Sequence, residues 1–284
     1  MYQEHWGLRE APFTSNLDPG AFFESRVHEE ALARLHYLVE QHRRLGIVLG
    51  DHGSGKSLLL EVLYQGAKNT GRPVVRLPLV GVSAEELPWQ LAAELGLDPD
   101  ANAGLASLWR SVSDCIRANS MQRRGTMILL DDADEASEEM RQVVSRLIQL
   151  DPGSDTQLTV ILSAQTDRAA SLGARLLELS ELRIDLDAWG EEDTAGFLNA
   201  ALKRVGAERP AFGPSAITRL HQLSGGVPRR VRQLADLALM AGAGQEQQEV
   251  DAHTVELVFE ELRVGELQEL ELAAGAAAPA ASHL

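Results

Sequence analysis

Residues 50–57 read GDHGSGKS and satisfy every fixed position of the phosphate-loop pattern GxxxxGK[ST]. The apolar run Gly46–Leu49 stops at the first glycine, and LLLEVLYQGA (58–67) follows with leucines at helical spacing. The loop is therefore predicted to join a strand to a helix, a context that an ordinary glycine turn lacks. Glycine lets the backbone close around phosphate oxygens, and the helix start aims unpaired N–H groups and its positive end at the anion. Gly50, Gly53, Ser54, Gly55, Lys56 and Ser57 are the expected nucleotide-binding residues. Lys56 is expected to reach the β- and γ-phosphates and act on them in catalysis, with the Ser57 hydroxyl on Mg²⁺. Asp51 and His52 fill variable positions, and His52 has no clustered Cys or His partners for a metal.

A phosphate-bound Mg²⁺ needs an acid from elsewhere in the chain. Met127–Leu130 form an apolar β run that ends in Asp131 and Asp132. Ligands of open parallel sheets gather at the carboxyl ends of strands, which makes Asp131 the expected metal-associated carboxylate. Asp132 is expected to orient or deprotonate the attacking water. The competing reading of both acids is capping of the helix that begins near Ser137. Gln165 follows another apolar run and is placed to hydrogen-bond a γ-phosphate or the water; the alternative is a solvated loop glutamine. Arg229, in GGVPRR (225–230), opens a late helix and is expected to bring positive charge over the phosphates. Its alternative is a surface arginine that offsets an acidic protein.

Around these motifs, short apolar runs at 46–49, 74–77, 127–130 and 158–162 alternate with helical patterns, which predicts an α/β architecture with a largely parallel sheet, and RIDLDAW (183–189) can supply one more strand. After Trp189 the pattern is helical only, with segments at 191–205, 214–223 and 228–241 and a last one carrying Val255, Val258, Phe259 and Leu262. The expected domains are an aromatic strap over 1–25, a P-loop NTPase core over 26–189, a helical lid over 190–265 and an acidic, alanine-rich tail over 266–284. Trp109 and Cys115 are expected to fill core.

With 42 acids against 26 Lys and Arg, the net charge is −16 and the pI near 4.9. A broad basic surface for nucleic acid is disfavoured, although Arg43, Arg44, Arg123, Arg124, Arg229, Arg230 and Arg232 form local basic clusters. A lone cysteine, Cys115, excludes an intrachain disulfide and a multi-thiol metal site. The polar start MYQEHWGLRE is no signal core, and no stretch approaches the roughly 20 apolar residues that span a bilayer. A cytoplasmic protein is expected, reaching the inner membrane only through a partner.

Seven stretches carry a resemblance: HWGLREAPF (5–13), DPGAFFES (18–25), HEEALARLHYLVE (28–40), GDHGSGKSLLLE (50–61), MILLDDAD (127–134), VILSAQTD (160–167) and RLHQLSGGVPRRVRQLADLALMA (219–241). Together they resemble the AAA+ ATPases of the general secretion pathway protein A type, the ExeA family, over about residues 1–265. The resemblance implies an ASCE-type core with a helical lid, ATP and Mg²⁺ as cofactors, Asp131 as the Walker B aspartate, Gln165 as sensor 1 and Arg229 as sensor 2. It also implies a homo-oligomer and a protein partner, in work on envelope, secretion or pilus-type machinery; relatives with similar cores regulate DNA transposition. Fold does not choose between these outputs. Three departures stand out. Asp132 replaces the family's glutamate, and a carboxylate displaced by roughly 1 Å can forfeit about 10²-fold in rate, so a nucleotide-gated interaction module with little hydrolysis is the alternative. The family's arginine before the last strand is missing from LLELSELRIDL (176–186), where Arg175 or Arg183 would have to substitute. The family's membrane span and peptidoglycan-binding region do not follow before Leu284, so cell-wall attachment is expected to come from a partner.

Overall fold

Side chains of Leu45–Gly50 point alternately to two faces, and all six residues are buried, so the strand must be covered on both sides. The computed structural model describes residues 2–14, 17–150 and 157–263. Its chain divides into two compact units, Asn16–Asp187 and Met1–Ser15 with Ala188–Leu284. Helix α1 (Tyr2–Trp6) belongs to the second. The first runs α2 (Arg26–Glu40), β1 (Leu45–Gly50), α3 (Lys56–Asn69), β2 (Val74–Pro78), α4 (Leu87–Glu94), α5 (Leu105–Met121), β3 (Thr126–Asp131), α6 (Glu138–Ile148), β4 (Leu158–Gln165), α7 (Gly173–Leu179) and β5 (Leu182–Leu186).

The five strands form a parallel sheet in the order β2-β3-β4-β1-β5. Parallel neighbours need crossovers, and helices supply them on both faces. On one face Leu45, Ile47 and Leu49 join Leu87, Leu91, Val112, Ile116, Val144 and Leu147 from α4, α5 and α6. On the other, Val48 packs with Leu35 and Leu38 of α2 and Leu59, Leu60 and Leu63 of α3. Each such leucine contributes about 2 kcal/mol of burial, so α3 is anchored one turn below its start. The register places Gly50 opposite Gln165 and Leu186, and Leu130 opposite Leu162. The carboxyl ends of β1, β3 and β4 therefore meet at one edge.

Some elements depart from the sequence pattern. The stretch SAEELPWQLAAELGL (83–97) reads as a helix capped by Ser83, but α4 starts only at Leu87 because Pro88 favours a first turn and cannot sit deeper. The Ser83 and Glu86 pair still closes a box ahead of it, with Ser83 N donating to Glu86 Oε2 at 2.9 Å and Glu86 N to Ser83 Oγ at 3.3 Å. The Ser83 N–H, and after it the Ser83 hydroxyl, hold the Glu86 carboxyl below its ordinary range. Strand β4 extends to Gln165, which ends the strand instead of following it. Trp109 is buried, with the Arg146 guanidinium stacked 4.6 Å from its ring centroid, while Cys115 is half-buried.

The second unit is helical: α1, α8 (Glu191–Arg204), α9 (Pro214–Ser224), α10 (Pro228–Gly244) and α11 (252–263). Its core takes Phe13, whose ring centroid lies 5.8 Å from Phe197 and 6.4 Å from Phe212. Trp6 Nε1 donates to Leu239 O at 2.9 Å, and Tyr2 Oη to Asp236 Oδ1 at 2.9 Å. Burial and that carboxylate push the Tyr2 phenol up to about 12. The expected strap of residues 1–25 is thus shared: Trp6 and Phe13 serve the helical unit, while Phe22 packs in the sheet unit. The expected tail, 266–284, lies outside the described residues.

Candidate functional site

At the end of β1 the chain turns through Gly53 and Gly55, at φ 83° and 102°, into α3. Gly55 is the N-cap and no side chain caps the helix, so its first N–H groups remain for a ligand. The turn is too close-packed for larger residues. A Cβ on Gly50 would lie 2.5 Å from Ser54 Oγ, and one on Gly55 2.6 Å from His28 Nε2. Ser54 Oγ is itself buried without a hydrogen-bond partner, an unused polar atom inside the loop.

Lys56 is buried, and its Nζ donates to the carbonyls of Gly50 at 2.7 Å and Asp51 at 3.0 Å. Burial lowers its pKa, opposed by the charges of Asp132, Asp134, Asp131 and Asp51. The ammonium and the predicted acids therefore share one site.

Asp131 is buried at the end of β3. Its Oδ1 accepts from Ser163 Oγ, and its Oδ2 from Arg76 Nη2 at 3.0 Å. Arg76 also donates through Nη1 to Glu61 Oε2 at 2.9 Å and through Nη2 to the Ser57 carbonyl at 3.3 Å. One guanidinium on β2 thereby ties the start of α3 to the acid of β3. Asp132 takes the left-handed conformation at φ 54°, and its N–H donates to Ser163 Oγ at 3.0 Å. It caps no helix through its side chain. Burial first, then the charges of Asp131 and Asp134, raise its pKa, against Lys56 and His52, which lower it. A carboxylate made more basic in this way is a better proton acceptor.

Gln165 is half-buried beside Gly50, and its N–H donates to Asp134 Oδ1 at 3.2 Å. Asp134 Oδ2 makes no hydrogen bond, and the Arg168 guanidinium lies 3.5 Å away. That distance fits an ion pair held by charge without hydrogen-bond geometry. Arg229 is the second residue of α10, in the other unit. Of the residues expected from the sequence, the phosphate loop, Asp131, Asp132 and Gln165 share one sheet edge.

Sequence reading passed over His28, Glu61, Arg76, Asp134 and Ser163. Their signal was polarity inside an apolar pattern: His28 continues the Ala31, Leu35 and Leu38 stripe of α2, Arg76 interrupts VVRLP, and Ser163 interrupts LTVILSAQ.

A family model described as an AAA domain matches residues 39–172, which span the loop, β3 and β4. The chain has a P-loop fold of the AAA+ type. Its sheet is of the ASCE type, with β4 between the loop strand and the acid-bearing strand. General secretion pathway protein A of Aeromonas hydrophila is 28% identical over 245 residues, 85% of this chain and 45% of that protein. The chain thus spans less than half the length of this curated relative. Among solved structures, the Aeropyrum pernix ORC1 protein in complex with DNA matches with TM-score 0.67 and 12% identity, over 90% of this chain and 69% of that one. A Walker-type ATPase of Pyrococcus abyssi matches with TM-score 0.62 and 17% identity, over 93% and 81%.

The donor set fits Mg²⁺-ATP. A loop packed too tightly for a side chain at Gly50 or Gly55, a buried ammonium and an unused Ser54 hydroxyl suit a polyphosphate. One hydroxyl and one carboxylate suit Mg²⁺, which keeps waters and takes phosphate oxygens.

Proposed function

We propose that the protein binds Mg²⁺-ATP at residues 50–57 and hydrolyses it as a switch that serves assembly of an envelope, secretion or pilus-type machine. The observation that carries this reading is the meeting of Lys56 with Asp131, Asp132 and Asp134 at an uncapped helix start. Ser57 and Asp131 would hold Mg²⁺, which supplies charge neutralisation on the phosphates. Lys56 exchanges its carbonyl partners for phosphate oxygens. Asp132 accepts the proton of the attacking water on its carboxylate, and Gln165 orients that water. Arg229 answers to the γ-phosphate, by kinship with related lids.

Steady-state phosphate release is the test. Lys56→Ala is expected to bring it to background; equal release from both proteins would overturn the enzyme reading. The pathway rests on similarity to the Aeromonas protein, and a homo-oligomer that forms with ATP is part of the proposal, read by light scattering with and without nucleotide. A second reading, a nucleotide-gated interaction module, is favoured by the short acid at 132. Calorimetric ATP binding with negligible turnover, and faster turnover in Asp132→Glu, would select it. A role on DNA, by analogy with transposition regulators, predicts an ATP-dependent duplex shift at moderate salt, and its absence at low salt would dismiss it.

A further inference from the structure

A loop that turns its N–H groups toward an anion turns its carbonyls away, and each buried carbonyl then needs a donor. Within the loop, Lys56 serves Gly50 and Asp51. Those two bonds are provisional, because a bound phosphate competes for the same ammonium. The Ser54 carbonyl is served from outside: His28 Nε2 lies 3.0 Å from it.

We propose that His28 is a positioning residue that holds the phosphate loop in its anion-receiving form; this rests on the nucleotide-binding reading above. A carbonyl only accepts, so Nε2 carries the proton and the ring is the Nε2–H tautomer. Nδ1 then accepts from the Ser25 hydroxyl at 2.7 Å. Ser25 is the N-cap of α2 and also accepts from the His28 N–H at 3.4 Å, so the ring is set by the helix that carries it. Phe22 meets the ring edge-on, with centroids 5.6 Å apart. At 2% exposure, His28 leaves little room for water to replace its bond.

The same ring explains Gly55 twice over. The residue sits at φ 102°, and its absent Cβ is the space that Nε2 enters, at 2.6 Å. A side chain at 55 would displace the imidazole as well as strain the backbone. The arrangement divides the labour: Lys56 is released to the ligand, and His28 keeps Ser54 and Gly55 in place while that happens.

Amide hydrogen exchange on the nucleotide-free protein tests this directly. His28→Ala is expected to speed exchange across residues 50–57 by roughly 10-fold or more, the effect of orphaning one buried carbonyl, while peptides from α5 stay unchanged. In ATP turnover the same variant should raise KM by a similar factor and leave kcat within about twofold, because preorganisation of the loop is lost before the chemistry begins. His28→Gln carries an amide donor of similar reach and should return both readouts toward wild type. Unchanged loop exchange in His28→Ala, or a glutamine variant no better than alanine, overturns the proposal. Should His28→Ala fail to fold, Ser25→Ala keeps the Nε2 donor but frees the ring, and a loop-confined rise in exchange is again expected; no rise overturns the proposal. A wild-type protein that ignores ATP would defeat the nucleotide reading alone, since the exchange result still decides the role of His28.

Discussion

Two glycine turns in this chain look alike on paper and differ in kind. Gly53 and Gly55 precede α3, and Gly225 and Gly226 precede α10; all four have positive φ, and each helix has a cation within its first two residues. In the first turn the carbonyls are satisfied by Lys56 and His28, leaving helix N–H groups for an outside anion. In the second the polar groups are consumed internally. Gly225 N donates to His221 O, Gly226 N to His221 O at 3.2 Å, and Trp189 N to Gly226 O at 2.9 Å. Pro228 then removes the first helical N–H. The first turn is built as a cup and the second as a packing joint, so glycine before a helix does not by itself make a site.

The largest effect that could break this contrast comes from filling each turn. Gly226→Ala drives a Cβ into the Trp189 carbonyl at φ 69° and should cost about 3 kcal/mol or more in urea unfolding, because backbone cannot step aside. Gly55→Ala meets a side chain instead. Combining it with His28→Ala should therefore cost about 1 kcal/mol less than the sum of the two single changes, whereas Gly226→Ala with Trp189→Ala should be additive. Coupling in both cycles, or in neither, would erase the distinction.

A smaller effect sharpens it through the tie on α3. Arg76→Gln leaves Asp131 and Glu61 without their shared cation and should cost about 2 kcal/mol, less than a fully buried pair because the arginine is partly exposed. Urea midpoints measure it; a change near zero would mean the cup does not depend on this bridge.

The smallest effect concerns pH. Asp132 has a folded pKa above its unfolded one, so it favours the fold most below the unfolded value and loses that contribution as pH rises through the folded value. Asp132→Asn should raise the melting temperature at neutral pH and lose that advantage in acid. Asp134→Asn removes one of the charges that raises Asp132 and should move the acidic limb of the pH–rate profile to lower pH. A limb that moves upward would contradict the electrostatic account.

Much of the loop was legible because its residues are contiguous: Gly50 to Ser57 form one local turn between two elements with clear periodicity. Asp131 was legible as the acid closing an apolar strand. The partners of these groups were not, since Arg76, Ser163 and His28 lie 55, 32 and 26 residues from Asp131, Asp131 and Ser54. Division of the opening aromatics between two units was equally hidden, because Trp6, Phe13 and Phe22 read alike as apolar side chains in an irregular segment.

By itself the sequence determined the alternation of strands and helices, the phosphate loop and the acid at the end of β3, because each depends on residues near one another in the chain. Tertiary structure alone decided that β4 enters between β1 and β3, that Ser163 meets Asp131 across that pairing, and that His28 lies beneath Ser54. The reason is physical: local patterns state which face of an element must be buried, but strand order and register select what is buried against it.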